Sequence, residues 1–390
     1  MPRFSYYISP LETPLSPASA VWQEPLPLTR PTAGKSAQIV VSYGEYFDAI
    51  RSFFEQDGGE MFSRILAQRL QQTILSGDIQ EIRVHLEKHG EFYHPARIET
   101  DVVGGRVSFV LNVAVSDPGK TVINGEFYNL KKLNAEFAES FLPRVYTFGG
   151  VTSGSQRKFW MFLADWLEDY YEFHLSRDAS DNRAKLAVWD GTNRHIFLSS
   201  RQSAQLYRQV ASILAYYYDV ATFEQVFSWH HAAGDFVVRI NRSEIDVKLI
   251  TVRHYKSFLN NFEGLEEASH NPEFILQALL IFFLSLGIRT RLDRLDGVGD
   301  LVWAESLAVG PTLTGFLEGL ALKPHVRMLP DTIERCFRYY LSVCSRQDFY
   351  ELSNAVVDAL HPQAPEIPVI KQNLTDHIET LHDVIQQMGN

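Results

Sequence analysis

The stretch WHHAAGDFVVRINRSEIDVKLITVR, residues 229–253, holds two apolar runs that alternate with polar residues around a short polar turn. That pattern predicts a β-hairpin over FVVRINRSEIDVKLITV. Just before it, His230 and His231 precede a Gly234-Asp235 pair, and the Asp leads directly into the first strand. An Asp in such a turn often bonds only neighbouring backbone amides. Close to histidines, the same carboxylate can also orient a reacting hydroxyl or complete a metal-ligand set.

Outward from this hairpin the chain changes character several times. Residues 1–38 carry Pro2, Pro10, Pro14, Pro17, Pro25, Pro27 and Pro31, a density that excludes helix and sheet interiors. An extended arm held down by Trp22 and its apolar neighbours is expected there. Residues 39–78 read as a helical extension: GEYFDAIRSFFEQ spaces Tyr46, Phe47, Ile50, Phe53 and Phe54 at helical intervals, and MFSRILAQRLQQTIL continues the pattern. Residues 79–170 read as a β-rich lobe. IQEIRVHLEKHG alternates Ile82, Val84 and Leu86 with polar residues, and ARIETDVVGGRVSFVLNVAVSDPG is two strands joined at Gly104-Gly105. NGEFYNLKKLNAEFAESFLP is a helix ended by Pro143, after which RVYTFG and KFWMFLADWL are strands. The predicted order is thus three strands, a helix and two strands. Residues 171–390 form a mostly helical lobe, opened by SSRQSAQLYRQVASILAYYYD with Ser199 or Ser200 as N-cap.

The totals narrow the function classes. At 390 residues, two lobes plus appendages are expected. A formal charge of −11 without a Lys/Arg cluster argues against a nucleic-acid surface. The most apolar run, FILQALLIFFLSLGI at 274–288, falls short of the roughly 20 residues that span a bilayer, so a buried helix and no membrane partner are expected. Cys336 and Cys344, eight apart, would lie about 12 Å apart along a helix, too far for a disulfide. Free thiols in a reducing compartment follow, and the N-terminus lacks a signal-peptide pattern, so the cytoplasm is the expected location.

The element order, with GDFVV…VKLITVR as its loop and strand, resembles the protein-kinase-like fold, and within it the branch of aminoglycoside and choline kinases. The resemblance covers roughly 80–350 and implies an α+β, two-lobed kinase-like fold, with a small β-rich lobe and a large helical lobe. It places Asp235 as the catalytic-loop Asp, with His231 beside it, and LADWLEDYYEFHL at 163–175 as the strand and linker joining the lobes. Glu126 or Glu136 takes the place of the ion-pairing Glu on the small-lobe helix. ATP and Mg²⁺ are the implied cofactors, and a small-molecule or protein hydroxyl the implied substrate. Several positions depart from the family pattern. Ile240 stands where the metal-binding Asn belongs, with Asn241 one step later, and Thr251 replaces the Asp at the end of the next strand. The third small-lobe strand offers Asn112 in place of Lys, and KHGEFYHP has a single glycine where a phosphate-covering loop has several.

Phosphoryl transfer needs a carboxylate to orient the attacking hydroxyl, oxygen ligands for Mg²⁺ and a cation on the phosphates. Asp235 can supply the first, Asp246 and Asn241 the second, and Lys88 or Arg253 the third. With the Lys, Asn and metal Asp replaced, a catalytically inactive kinase-like binding or scaffold protein is the alternative. A zinc site from His230, His231 and Asp235, completed by His94, His195 or His254, is the remaining option, although no zinc spacing is present. RTRLDRLDGVGD at 289–300 reads as a salt-bridged helix end turning at Gly297 and Gly299, or else as an anion site built from its arginines.

Overall fold

The alternation at 81–86 becomes a strand with Ile82, Val84 and Leu86 buried and Glu81, Arg83 and His85 on the opposite face. A computed structural model describes residues 2–27, 41–90, 92–102, 105–189, 195–227, 229, 234–257 and 270–388. The chain divides into two compact units, Met1–Glu136 with Pro143–Glu168 and Phe137–Leu142 with Asp169–Asn390.

The first unit is built on a six-stranded sheet: β1 (Arg3–Ile8), β2 (Glu81–Leu86), β3 (Ala96–Val102), β4 (Gly105–Ala114), β5 (Val145–Thr152) and β6 (Lys158–Asp165). The order is β1-β2-β3-β4-β6-β5. Only the β1–β2 pair is parallel. Helices α1 (Tyr43–Glu55), α2 (Glu60–Leu70) and α3 (Asp117–Glu136) complete the unit. The strand and helix order expected from 80 to 170 is the order observed, and Val102 pairs with Gly105 at the hairpin whose Gly104 lies outside the described residues. Ser42 caps α1 by accepting the Glu45 N–H at 3.1 Å. Below the sheet Tyr46, Phe47, Phe53, Phe54 and Phe62 are almost fully buried.

The proline-rich arm departs from expectation. Residues 3–8 form the edge strand β1, running parallel to β2 from Arg3 opposite Glu81 to Ile8 opposite Leu86. Pro2 and Pro10 flank the strand instead of interrupting it, and an edge position leaves one side of its backbone unpaired. Trp22 is buried against Tyr6 and Phe47, with ring centroids 5.2 and 5.7 Å apart. Gly44 permits this, because a Cβ there would lie 2.1 Å from the indole Nε1.

The second unit carries β7 (Phe173–Arg177), β8 (Ala184–Trp189) and β9 (His195–Phe197) as an antiparallel sheet, then α4 (Ser200–Tyr217). Three two-stranded ribbons follow: β10 (Glu224–Phe227) with β13 (His254–Ser257), β11 (Phe236–Asn241) with β12 (Glu244–Leu249), and β14 (Leu292–Arg294) with β15 (Leu301–Trp303). Helices α5 (Pro272–Arg291), α6 (Val309–Ala321), α7 (Ile333–Val343), α8 (Arg346–Asp358) and α9 (Glu366–Met388) complete it. By length and composition α5 could cross a membrane, but 61% of its most apolar window is buried. Residues 289–291 end α5 and Gly297 turns at φ +75°, but between them the run continues as the strand β14. Arg291 is buried as α5 finishes, and Asp293 is buried on β14, accepting the Leu175 N–H at 2.7 Å. The strand β14 turns Asp293 inward, which a helical reading of the run could not anticipate.

Candidate functional site

The predicted hairpin forms as β11 and β12, in register from Phe236 opposite Leu249 to Asn241 opposite Glu244. Gly234 enters it at φ +73°, a conformation that costs glycine little. Asp235 follows, fully buried, and its carbonyl accepts the Ile250 N–H at 2.8 Å, one rung beyond the strand pairs. Beyond β12 the chain continues extended. Thr251 and Arg253, two residues apart, therefore both reach the Asp235 side chain. The Thr251 hydroxyl donates to Oδ1 at 2.6 Å, and the Arg253 guanidinium lies 2.7 Å from the same oxygen. Trp229 meets Phe236 edge-on at 6.0 Å, giving the turn an apolar wall. At the start of β13, burial together with Lys256 and Arg253 lowers the His254 imidazole pKa, so it stays neutral near neutral pH.

The remaining predicted residues sit elsewhere. Asp246 pairs across the hairpin with Arg239, accepts a short hydrogen bond from the Tyr170 hydroxyl and has the Arg239 guanidinium 3.3 Å away. It precedes Ile250, the rung partner of Asp235, by four residues, about 13 Å along a strand. Asn241 is exposed at the hairpin tip, six residues or about 20 Å from Asp235. The expected grouping of Asp246 and Asn241 with Asp235 is therefore corrected: a straight ladder keeps its two ends apart. His230 and His231 lie outside the described residues. In the first unit Lys88 is exposed in the segment after β2, and Glu136 is exposed at the end of α3. Glu126 is buried on α3 and accepts the Tyr93 hydroxyl at 2.6 Å.

Of the histidines offered for zinc, His94 and His195 have other neighbours. His94 is buried with its Nδ1 3.1 Å from His89 Nδ1, and burial holds its imidazole down to about 4. His195 stacks on Trp189 at 5.1 Å. Among the described residues no three His, Cys, Asp or Glu side chains converge as metal ligands. Thr251 enters the sequence reading only as a replaced Asp, and its bond to Asp235 is the contact that reading missed. The alternation of Thr251 and Arg253 in an extended segment was the available signal.

Comparison with solved structures returns WaaP in complex with acyl carrier protein, at 13% identity over 50% of this chain and 76% of that one, with a TM-score of 0.27. It also returns the maize SIRK1 (sucrose-induced receptor kinase 1) kinase domain bound to AMP-PNP, at 12% identity over 76% of this chain and 90% of that one, with a TM-score of 0.26. No protein-family profile and no curated sequence matches the chain.

Proposed function

We propose that the chain is a divergent kinase-like protein whose Asp235 turn serves binding or scaffolding and not phosphoryl transfer. The observation that supports this most is that Asp235 is fully buried, with Oδ1 held by Thr251 and Arg253. A base that orients an acceptor hydroxyl has to be reached by it. Here the residue standing where the resemblance puts a metal-binding Asp is itself a hydroxyl donor to that carboxylate. On this reading the chain binds nucleotide without Mg²⁺-dependent turnover.

The second reading is ATP- and Mg²⁺-dependent transfer to a small-molecule or protein hydroxyl. Asp235 would be the base, assisted by His231, with Arg253 placing the nucleotide. One feature favours it: Asp235 already accepts a hydroxyl at 2.6 Å, the distance an acceptor substrate would adopt. The test is a thermal-shift titration with ATP, with and without Mg²⁺, beside a radiolabelled ATP-turnover assay. Binding reading and kinase-like ancestry both require a stabilisation by ATP, since a ligand seen only by the native state raises Tm. Turnover that disappears in Asp235→Asn would establish the second reading and end the first. ATP neither bound nor consumed would reject both.

A further inference from the structure

In the first unit, a cleft of about 350 Å³ lies where Trp22 of the N-terminal arm meets the start of α1 and the turn between β5 and β6. That volume falls in the range of small-molecule sites. The turn is closed by the Ser153 N–H, which donates to the Arg157 carbonyl at 2.8 Å. From α1, Glu45 accepts the Ser153 hydroxyl at 2.8 Å and a short hydrogen bond from Ser155, and the Arg157 guanidinium lies 2.7 Å from its other oxygen. Glu45 is therefore neutralised and occupied, and it fixes two hydroxyls at the cleft wall.

Two other polar groups of the lining stand without a partner among the described residues. Asp48, one turn further along α1, makes no hydrogen bond and no ion pair there. Arg51 acts on it only from a distance, its own guanidinium being 2.8 Å from Glu55. Loss of water outweighs Arg51 and raises the Asp48 carboxyl above its ordinary value of 3.8. The second group is the indole N–H of Trp22, a side chain only 6% exposed that offers no hydrogen bond to the described residues. Trp22 borders the cleft beside Gly44, whose missing Cβ would fall 2.1 Å from Nε1, so glycine at 44 leaves that donor uncovered. A buried donor without an acceptor is unfavourable, and a ligand oxygen in contact with it relieves this.

Asp48 calls for a cation, and Ser52, Ser153 and Ser155 offer hydroxyl oxygens that accept further N–H groups. A guanidinium fits this set better than a metal ion. Its planar fork meets one carboxylate with two N–H groups and keeps three for neighbouring oxygens. Mg²⁺ and Ca²⁺ take six or more oxygens, and Glu45 is already engaged. The indole N–H adds the need for an acceptor oxygen elsewhere on the ligand. We propose that this cleft binds arginine, free or as a residue of a peptide, with its guanidinium on Asp48 and a carboxyl or carbonyl oxygen on the Trp22 N–H. The site lies within the first unit and is independent of Asp235 and of any nucleotide.

The experiment is calorimetry and saturation-transfer NMR on the full chain, without nucleotide, using arginine, N-acetylarginine amide, propylguanidine and citrulline. Citrulline keeps the shape of arginine and lacks the guanidinium charge, whereas propylguanidine keeps the guanidinium and lacks the carboxyl oxygen. The expected result is millimolar or tighter binding of arginine or its capped amide, with citrulline and propylguanidine each about tenfold weaker. Whichever arginine form binds more tightly tells a free amino acid from a peptide. Asp48→Asn, at an exposed position, is expected to weaken arginine about tenfold. Trp22→Phe should weaken arginine and leave propylguanidine unchanged. No binding of either arginine form at about 10 mM overturns the proposal. So does citrulline or propylguanidine that binds as tightly as arginine, or an Asp48→Asn protein that binds as before. Should Trp22→Phe fail to fold, propylguanidine against arginine in the unsubstituted protein reports on the same contact.

Discussion

Asp235 illustrates how two side chains on one extended segment can fix the role of a third. Arg253 neutralises a carboxylate that is fully buried, so the energetic weight of the pair lies in what is lost when one partner goes. Arg253→Met is expected to destabilise the chain by about 3–5 kcal/mol, because a buried anion loses the cation beside it. The double variant Asp235→Asn, Arg253→Met should recover part of that loss. Urea titration of the four species closes the cycle, and additive losses would show that the two groups do not act as a pair. Asp235 itself was legible from the Gly-Asp turn before an apolar strand. Its partners were harder to see: the sequence reading compared Thr251 with an absent Asp and gave Arg253 a phosphate. What makes them partners is the extra rung formed by Ile250 on the Asp235 carbonyl, which carries the extended segment past the carboxylate.

At the scale of elements, glycine decides how closely helices approach. A Cβ at Gly315 would lie 1.8 Å from the Arg208 carbonyl oxygen, and one at Gly319 would lie 2.3 Å from that of Ser212. The two glycines, four apart on α6, form a groove into which the α4 backbone settles. Gly315→Ala therefore has to push two helices apart, against the usual gain of alanine in a helix, and should cost more than about 2 kcal/mol. Chemical denaturation reads this directly, and a stability equal to or above that of the unsubstituted chain would show that the helices separate at no cost. The strands at 81–86 and 96–114 were legible because their apolar period is two. The edge strand β1 was not, because a high proline density across 1–38 hid a six-residue run, Arg3–Ile8, that contains none. Likewise the charged run at 289–300 reads as surface until the strand β14 turns Asp293 inward. Burial pushes that carboxyl up to about 7 in spite of its backbone N–H donors.

Over whole units, charge is distributed by face. The outer face of β2, β3 and β4 gathers Arg83, His85, Arg97 and Arg106 around Glu99, whose side chain is 6% exposed. The His85 imidazole, with Arg97 and Arg106, holds the Glu99 carboxyl down to about 2 against the opposing effect of burial. A carboxyl more acidic folded than unfolded contributes stability that is complete above its ordinary value of 4.5 and is lost as pH falls toward 2. Glu99→Gln should therefore lower stability at pH 6–7 by about 2–3 kcal/mol and flatten the acid limb of the stability curve below about pH 4.5. Melts of the two proteins from pH 2 to 7 test this, and parallel curves would exclude Glu99 as the source of the acid dependence.

The sequence by itself determined the strands, helices and turns of both units, because apolar periods of 2 and 3.6 and the Gly-Asp turn are local properties of the chain. It also placed Asp235 at the head of its hairpin. Tertiary structure alone decided which donors reach that carboxylate, that Asp246 and Asn241 stay far from it, and that Arg291 ends up buried against His377. Those outcomes depend on strand register and helix packing, which bring together residues between 16 and 86 positions apart, and no local pattern records such distances.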